Sequence, residues 1–168
     1  MATTIWVPIH FQTPRFTSMA GKASWRPLGL TAWDAGIWDF LKDDDAKVYG
    51  VAPIPKDLAT TPNGKVVLLI GANATSGVTR LQVSTKAVAD GESLNPASLT
   101  AETAQDITVP ATARLRKDVT FPTSGSLGET LAAADLLIVE VFHNGLHAND
   151  TLSVNTEMYE GFLQCDVG

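Results

Sequence analysis

The sequence predicts an all-β fold, an antiparallel two-sheet β-sandwich of jelly-roll-like topology with one short helix near 127–134. Three observations lead there. Apolar residues recur at period two through several separate runs, as expected of strands with one buried face. Gly, Pro, Asn, Asp and Ser punctuate these runs at intervals of roughly 10 to 15 residues, giving about eight or nine strands. No strand alternates with a long helical pattern, which removes parallel βαβ architectures.

Ile5 to Phe11 alternates Ile5, Val7, Ile9 and Phe11 against Trp6, Pro8 and His10. Pro8 has no N–H for a ladder, so this segment is predicted as an edge strand or an extended arm. Gln12 to Ala35 carries Pro14, Gly21, Pro27 and Gly29 without a sustained period, predicting irregular loop with at most a short strand near Ser24 to Leu28. The expected division is therefore 1–36, a Trp-rich N-terminal arm or irregular segment, and 37–168, the sandwich domain. All four Trp residues fall in the first quarter of the chain. They read either as a satellite cluster plugging one end of the core or as an arm that docks on a neighbouring subunit, because Trp is enriched in buried interface patches. The second reading names Trp6, Phe11, Phe16, Trp25, Trp33 and Trp38 as interface candidates. On that reading, deleting Met1 to Ala20 leaves a folded sandwich that no longer assembles.

From Ile37 the chain becomes regular. Ile37 to Phe40 reads as a strand end, Leu41 to Lys47 as an acidic turn, and Val48 to Ile54 as a strand stopped at Pro55. Asp43, Asp44 and Asp45 are consecutive, without the alternate spacing, Gly and bidentate Glu of a calcium loop, so they read as a solvated turn. Lys65 to Ile70 is apolar after its first residue, as in a strand covered on both faces. With the Gly71 to Gly77 connection and Val78 to Val88 it predicts a hairpin. The second arm sorts Leu81, Val83, Thr85 and Ala87 to the core and Arg80, Gln82, Ser84 and Lys86 outward.

Gln105 to Val109 and Leu115 to Phe121 read as short strands. Ser126-Leu127-Gly128-Glu129 fits a capping box and begins the predicted helix. Leu136 to Phe142, dense in Leu, Ile and Val, is the predicted central strand, closed by the turn formers Ala148 to Thr151. Glu157 to Val167 sorts Tyr159, Leu163, Cys165 and Val167 to one face and Met158, Glu160, Phe162 and Gln164 to the other.

Composition bounds the function. The 168 residues suffice for one domain with a sizeable core and no metal or disulfide. Charged residues are only 18% and apolar ones 45%, so part of the surface is expected to be covered by partners. A net charge of -6 argues against a phosphate-backbone binder, and no nucleic acid partner is expected. Cys165 is alone, which excludes an intramolecular disulfide and suggests a core residue. The start lacks a basic region followed by an apolar one, and no run reaches the roughly 18 apolar residues of a membrane span. No membrane partner and no signal-directed export are expected.

Tests for chemistry fail one by one. His143, His147 and Asp150 suggest a metal set, but Asn144-Gly145 between the histidines signals a turn, so two polar loop histidines are expected instead. Ser126 lacks the Gly-x-Ser-x-Gly frame of a nucleophile elbow. Gly71 to Gly77 has no Lys behind it, unlike a phosphate loop. Asp135 and Glu140 form no evident glycosidase pair. No catalytic, cofactor or metal residue is assigned, and no enzyme is expected.

Three segments carry a family resemblance. Lys65 to Val83, with Ala74-Thr75-Ser76-Gly77 at its turn, resembles the strand, small-residue turn and return strand of a group of small tailed-bacteriophage virion proteins. Ala133-Ala134-Asp135-Leu136 followed by Asn149-Asp150-Thr151-Leu152 is similar to that group's second signature. Val51 to Leu58, with Pro53 and Pro55, is similar to its strand-then-proline element. His143 and Asn144 stand where the group's pattern has a basic residue, and the Trp-rich start is outside that pattern. The resemblance implies a non-enzymatic β-sandwich or jelly-roll protein of the virion, above all a capsid decoration or cement protein. It would bind itself as a homo-oligomer, expected to be a trimer, and the major capsid protein or another virion protein. The alternative is a tail or fibre module that stacks a host-surface glycan on exposed aromatics such as Trp25 or Trp33.

Overall fold

The computed structural model describes residues 2–12, 23–29, 34–59, 63–95 and 98–168. Within them run β1 (Thr3–Pro8), β2 (His10–Gln12), β3 (Ser24–Gly29), β4 (Asp34–Phe40), β5 (Asp45–Pro53) and β6 (Lys65–Ala72). There follow β7 (Val78–Val88), β8 (Thr100–Ala101), β9 (Gln105–Thr108), β10 (Lys117–Phe121), β11 (Leu136–Asn144) and β12 (Thr156–Val167).

Two six-stranded antiparallel sheets result. One runs β10-β6-β12-β4-β3, with β1 beside the second half of β12. The other runs β2-β5-β11-β7-β8, with β9 beside the start of β7. The chain changes sheet at every step from β4 to β7 and again from β9 to β12. The resulting orders, β10-β6-β12-β4 facing β9-β7-β11-β5, are those of a jelly roll.

Period two fills the space between the sheets. Phe40, Leu68, Ile70, Phe121, Met158 and Leu163 face Val48, Leu81, Val83, Leu137, Val139 and Val141, all essentially inaccessible. Each such large side chain contributes about 1.5–3 kcal/mol relative to exposure.

Four expectations change. No helix forms over 127–134. Leu127 and Leu131 are both drawn into the core, and the Leu127 amide donates to Gly64 O at 2.8 Å instead of starting a helical ladder. Glu129, read as the capping partner, turns away to Lys86, Thr100 and the Ala87 amide, while the Ser126 hydroxyl donates to Asn63. Tertiary contacts outbid a two-turn helix, whose nucleation is intrinsically unfavourable. The segments β6 and β7 are not a hairpin either: β6 pairs β10 and β12, β7 pairs β11, β8 and β9, and the connection between them arches from one sheet to the other.

In β12 the register shifts between Met158 and Glu160, a bulge that puts Met158 in the core and the Tyr159 ring on the outer face against Gly71. The final strand therefore does not keep one alternation from end to end. Lastly, the segment 1–36 supplies strands to both sheets. β1 pairs β12, the Ile9 amide donates to Gly161 O at 2.8 Å, and β2 then pairs β5 in the opposite sheet. The N-terminal strand thus crosses the sandwich at buried Ile9.

Candidate binding surfaces

The aromatic residues singled out in the sequence part company. Trp38 is buried and meets Phe11 edge-on at 6.5 Å between centroids. Phe11 itself is wedged between Gly50 and Gly161, where a Cβ would come within 2.7 and 2.9 Å of its ring. These two are core. Trp6 and Trp25 remain half exposed, at 50% and 53%. Trp6 lies edge-on to Phe162 on the outer face of the β12 sheet, and Trp25 packs over Gly36 from the edge strand β3. Both stand on the side of β12 away from β6 but on opposite faces of the sheet, since Trp25 is paired with inward Trp38 and Trp6 with Gln164, which lies between inward Leu163 and Cys165. Phe16 and Trp33 lie outside the described residues.

On the opposite side of the sandwich the two sheets are bridged by side chains of β9 and β10. Gln105 of β9 donates to Thr120 O of β10 at 2.8 Å, and Lys117 of β10 donates to Thr108 O of β9 at 2.7 Å. Each sheet thus shields an edge carbonyl of the other, leaving less to template an added strand.

A second surface lies on the outer face of the β11 sheet. Register sets it in rows across the strands: Gln12, Tyr49, Glu140 and Ser84, then His10, Val51, Ile138 and Lys86. Glu140 is buried beneath this face, accepting from Tyr49 Oη at 2.5 Å and pairing with Lys47 at 3.0 Å. Burial first, then the hydrogen bond to Glu140 and its charge, push the Tyr49 phenol up to about 12. Lys47 also sits 5.3 Å from the Phe142 ring centroid. Beside this cluster runs a groove of about 370 Å³ lined by Gln12, Tyr49, Val51, Leu94, Leu136 and Ile138. Tyr49 is 48% exposed and Leu94 69%.

Sequence reasoning missed this groove for an identifiable reason. The run Leu136 to Phe142 is apolar at every position but Glu140, which is the pattern of a strand covered on both faces, and only pairing shows that Leu136 and Ile138 form a groove floor. The outward alternation of Lys47, Tyr49 and Val51 in β5 was the available signal. Asp135 and Glu140 do not come together, since five residues of extended strand separate them by roughly 16 Å.

The histidines also divide. His143 is fully buried on the inner side of β11, so the expectation of a polar loop residue is corrected for it. Its Nε2 is 3.0 Å from Asp150 Oδ2 and its Nδ1 3.2 Å from Asp44 O. His147 lies in the following turn and accepts the Asn149 amide at 3.1 Å. Among the described residues no group of three or more His, Cys, Asp or Glu side chains is placed to hold a metal ion.

No family model matches the chain, and no curated protein matches it. Among solved structures it is similar to the family 11 carbohydrate-binding module from Clostridium thermocellum, in complex with a β-1,3-1,4-mixed-linked tetrasaccharide, with 12% identity over 95% of each chain and a TM-score of 0.45. It is similar to TmCBM61 in complex with β-1,4-galactotriose, with 10% identity over 85% of this chain and 90% of that one and a TM-score of 0.37. It is also similar to the arabinose-bound α-L-arabinofuranosidase MgGH51, with 9% identity over 94% of this chain but 26% of that one and a TM-score of 0.44. Likenesses this distant bear on neither ligand nor partner.

Proposed function

We propose that the chain is a non-enzymatic structural protein of a tailed-phage particle, a capsid decoration or cement protein that assembles as a homotrimer and binds the shell. The observation that carries this reading is the asymmetry of the two lateral sides of the sandwich. One side is latched by Gln105 and Lys117, whereas the other presents Trp6 and Trp25 half exposed on β1 and β3. Burying two such rings supplies the aromatic anchors on which interface energy concentrates. Anchors on one lateral side, one on each face of its sheet, suit a closed ring of identical subunits, in which that side of each copy meets a different surface of the next. Binding across subunit junctions of a shell then opposes disassembly by mass action.

The test is solution mass by light scattering, for the parent and for the Trp6→Ala/Trp25→Ala double variant. A trimer that becomes a folded monomer in the variant, with loss of binding to expanded empty shells, is the expected result. A parent that is monomeric and leaves such shells bare sinks the proposal.

A further inference from the structure

We infer that the outer face of the β11 sheet holds a binding site for an uncharged carbohydrate, with a pyranose ring stacked on Tyr49 and its neighbour lying over the floor of Val51 and Ile138. This site goes beyond a structural role and stands whether or not the protein decorates a shell.

Three features carry it. The Tyr49 ring is fixed at both ends, by the backbone of β5 paired on both sides and by its hydroxyl on Glu140 at 2.5 Å, yet nearly half of it is open. A planar group immobilised before binding loses little entropy when a ligand stacks on it. The groove beside it, about 370 Å³, is in the size range of a small-ligand site, and its floor is aliphatic. Such a floor suits the C–H faces of a sugar, while the exposed side-chain amide of Gln12, opposite Tyr49 in register, offers both a donor and an acceptor to hydroxyls.

Charge decides among the remaining ligand classes. Among the described residues, the two lysines flanking the groove are each paired with a carboxylate, Lys47 with Glu140 at 3.0 Å and Lys86 with Glu129 at 2.9 Å. Among the described residues, neither a phosphate nor a sulfate group finds an uncompensated lysine or arginine beside the groove, and no carboxylate lines it to face a cationic ligand. A wholly apolar occupant would strip water from Gln12 and Lys47 without replacing their hydrogen bonds. An added peptide strand needs a sheet edge, and this groove lies on a sheet face whose strands β5 and β11 are paired on both sides. What fits is a neutral ligand with apolar faces and hydroxyl rims.

The experiment is calorimetric titration of the full chain with neutral β-linked tetrasaccharides of glucose, galactose, mannose and N-acetylglucosamine, with a heparin tetrasaccharide as the anionic comparison. At least one neutral sugar is expected to bind at millimolar concentration and the heparin fragment not to bind. Tyr49→Ala should weaken binding at least about tenfold, while Tyr49→Phe keeps it within about threefold. Leu115→Ser, an exposed change elsewhere, should leave binding unchanged. If Tyr49→Ala fails to fold, Gln12→Ala on the exposed end of β2 provides the second reading, with an expected loss of about fivefold. No binding by any neutral sugar, a preference for heparin, or binding indifferent to the Tyr49 and Gln12 variants overturns the inference.

Discussion

His143 Nε2 meets the Asp150 carboxylate at 3.0 Å with both side chains sealed from solvent, and this contact pins the β11–β12 connection beneath one end of the sandwich. Asp150 Oδ2 also accepts the Arg80 amide of β7 at 2.8 Å, and the other ring nitrogen of His143 faces Asp44 O in the β4–β5 turn. Two connections and the strand β7 are thereby tied through one pair. Both ring nitrogens of His143 are thus engaged by protein oxygens.

Asp150→Ala should therefore destabilise the fold by about 3 kcal/mol, because it strands a buried imidazole and a buried amide together. His147→Ala, which gives up one hydrogen bond in a turn, should cost at most about 1 kcal/mol. Urea unfolding of the two variants checks the difference. A chelator should leave the melting temperature of the parent unchanged.

Glu129 predicts an acid limb of stability. Burial raises its pKa, but the hydrogen bonds from Lys86, Thr100 and the Ala87 amide outweigh burial and hold the carboxyl below its ordinary value of 4.5. A carboxyl lowered by folding stabilises the native state above its unfolded pKa, and this contribution is lost as pH falls through the folded value. Glu129→Gln should lower stability at neutral pH by about 1–2 kcal/mol and lose less on acidification below 4.5 than the parent does. Unfolding midpoints measured across that range provide the test.

Phe11 and Gly50 should be energetically coupled. Gly50→Ala drives a Cβ to 2.6 Å from Ile9 and 2.7 Å from Phe11, an overpacking expected to cost about 1–3 kcal/mol. In a Phe11→Leu background part of that cost should vanish, by at least about 0.5 kcal/mol in a double-mutant cycle. Removing residues 2–12 altogether takes away β1, β2 and buried Ile9, so the expected product is unfolded or aggregated chain and not a folded sandwich that has only lost assembly. Circular dichroism and solution mass of the truncated protein decide.

Most of the strands were legible because period two is a local property. Val78 to Val88 showed which residues face inward before any partner was known, and Leu81, Val83, Thr85 and Ala87 are buried as expected. The helix over 127–134 failed because a capping box is a weak local preference, and Leu127, Glu129 and Leu131 each gain more from distant partners: Gly64, Lys86 and the core. Tyr159 defeated the alternation of β12 because a bulge has no marker in the residue pattern alone.

By itself, the sequence determined the all-β class and the inner face of most strands, since side-chain alternation and turn chemistry are written within a few residues. Tertiary structure alone decided which strands are neighbours. That choice set Gln12 opposite Tyr49 and Tyr49 opposite Glu140, sent Trp38 inward while leaving Trp6 and Trp25 half exposed, and enclosed His143 with Asp150. The physical reason is range: pairing and burial depend on residues up to a hundred or more positions apart, such as Trp6 and Gln164.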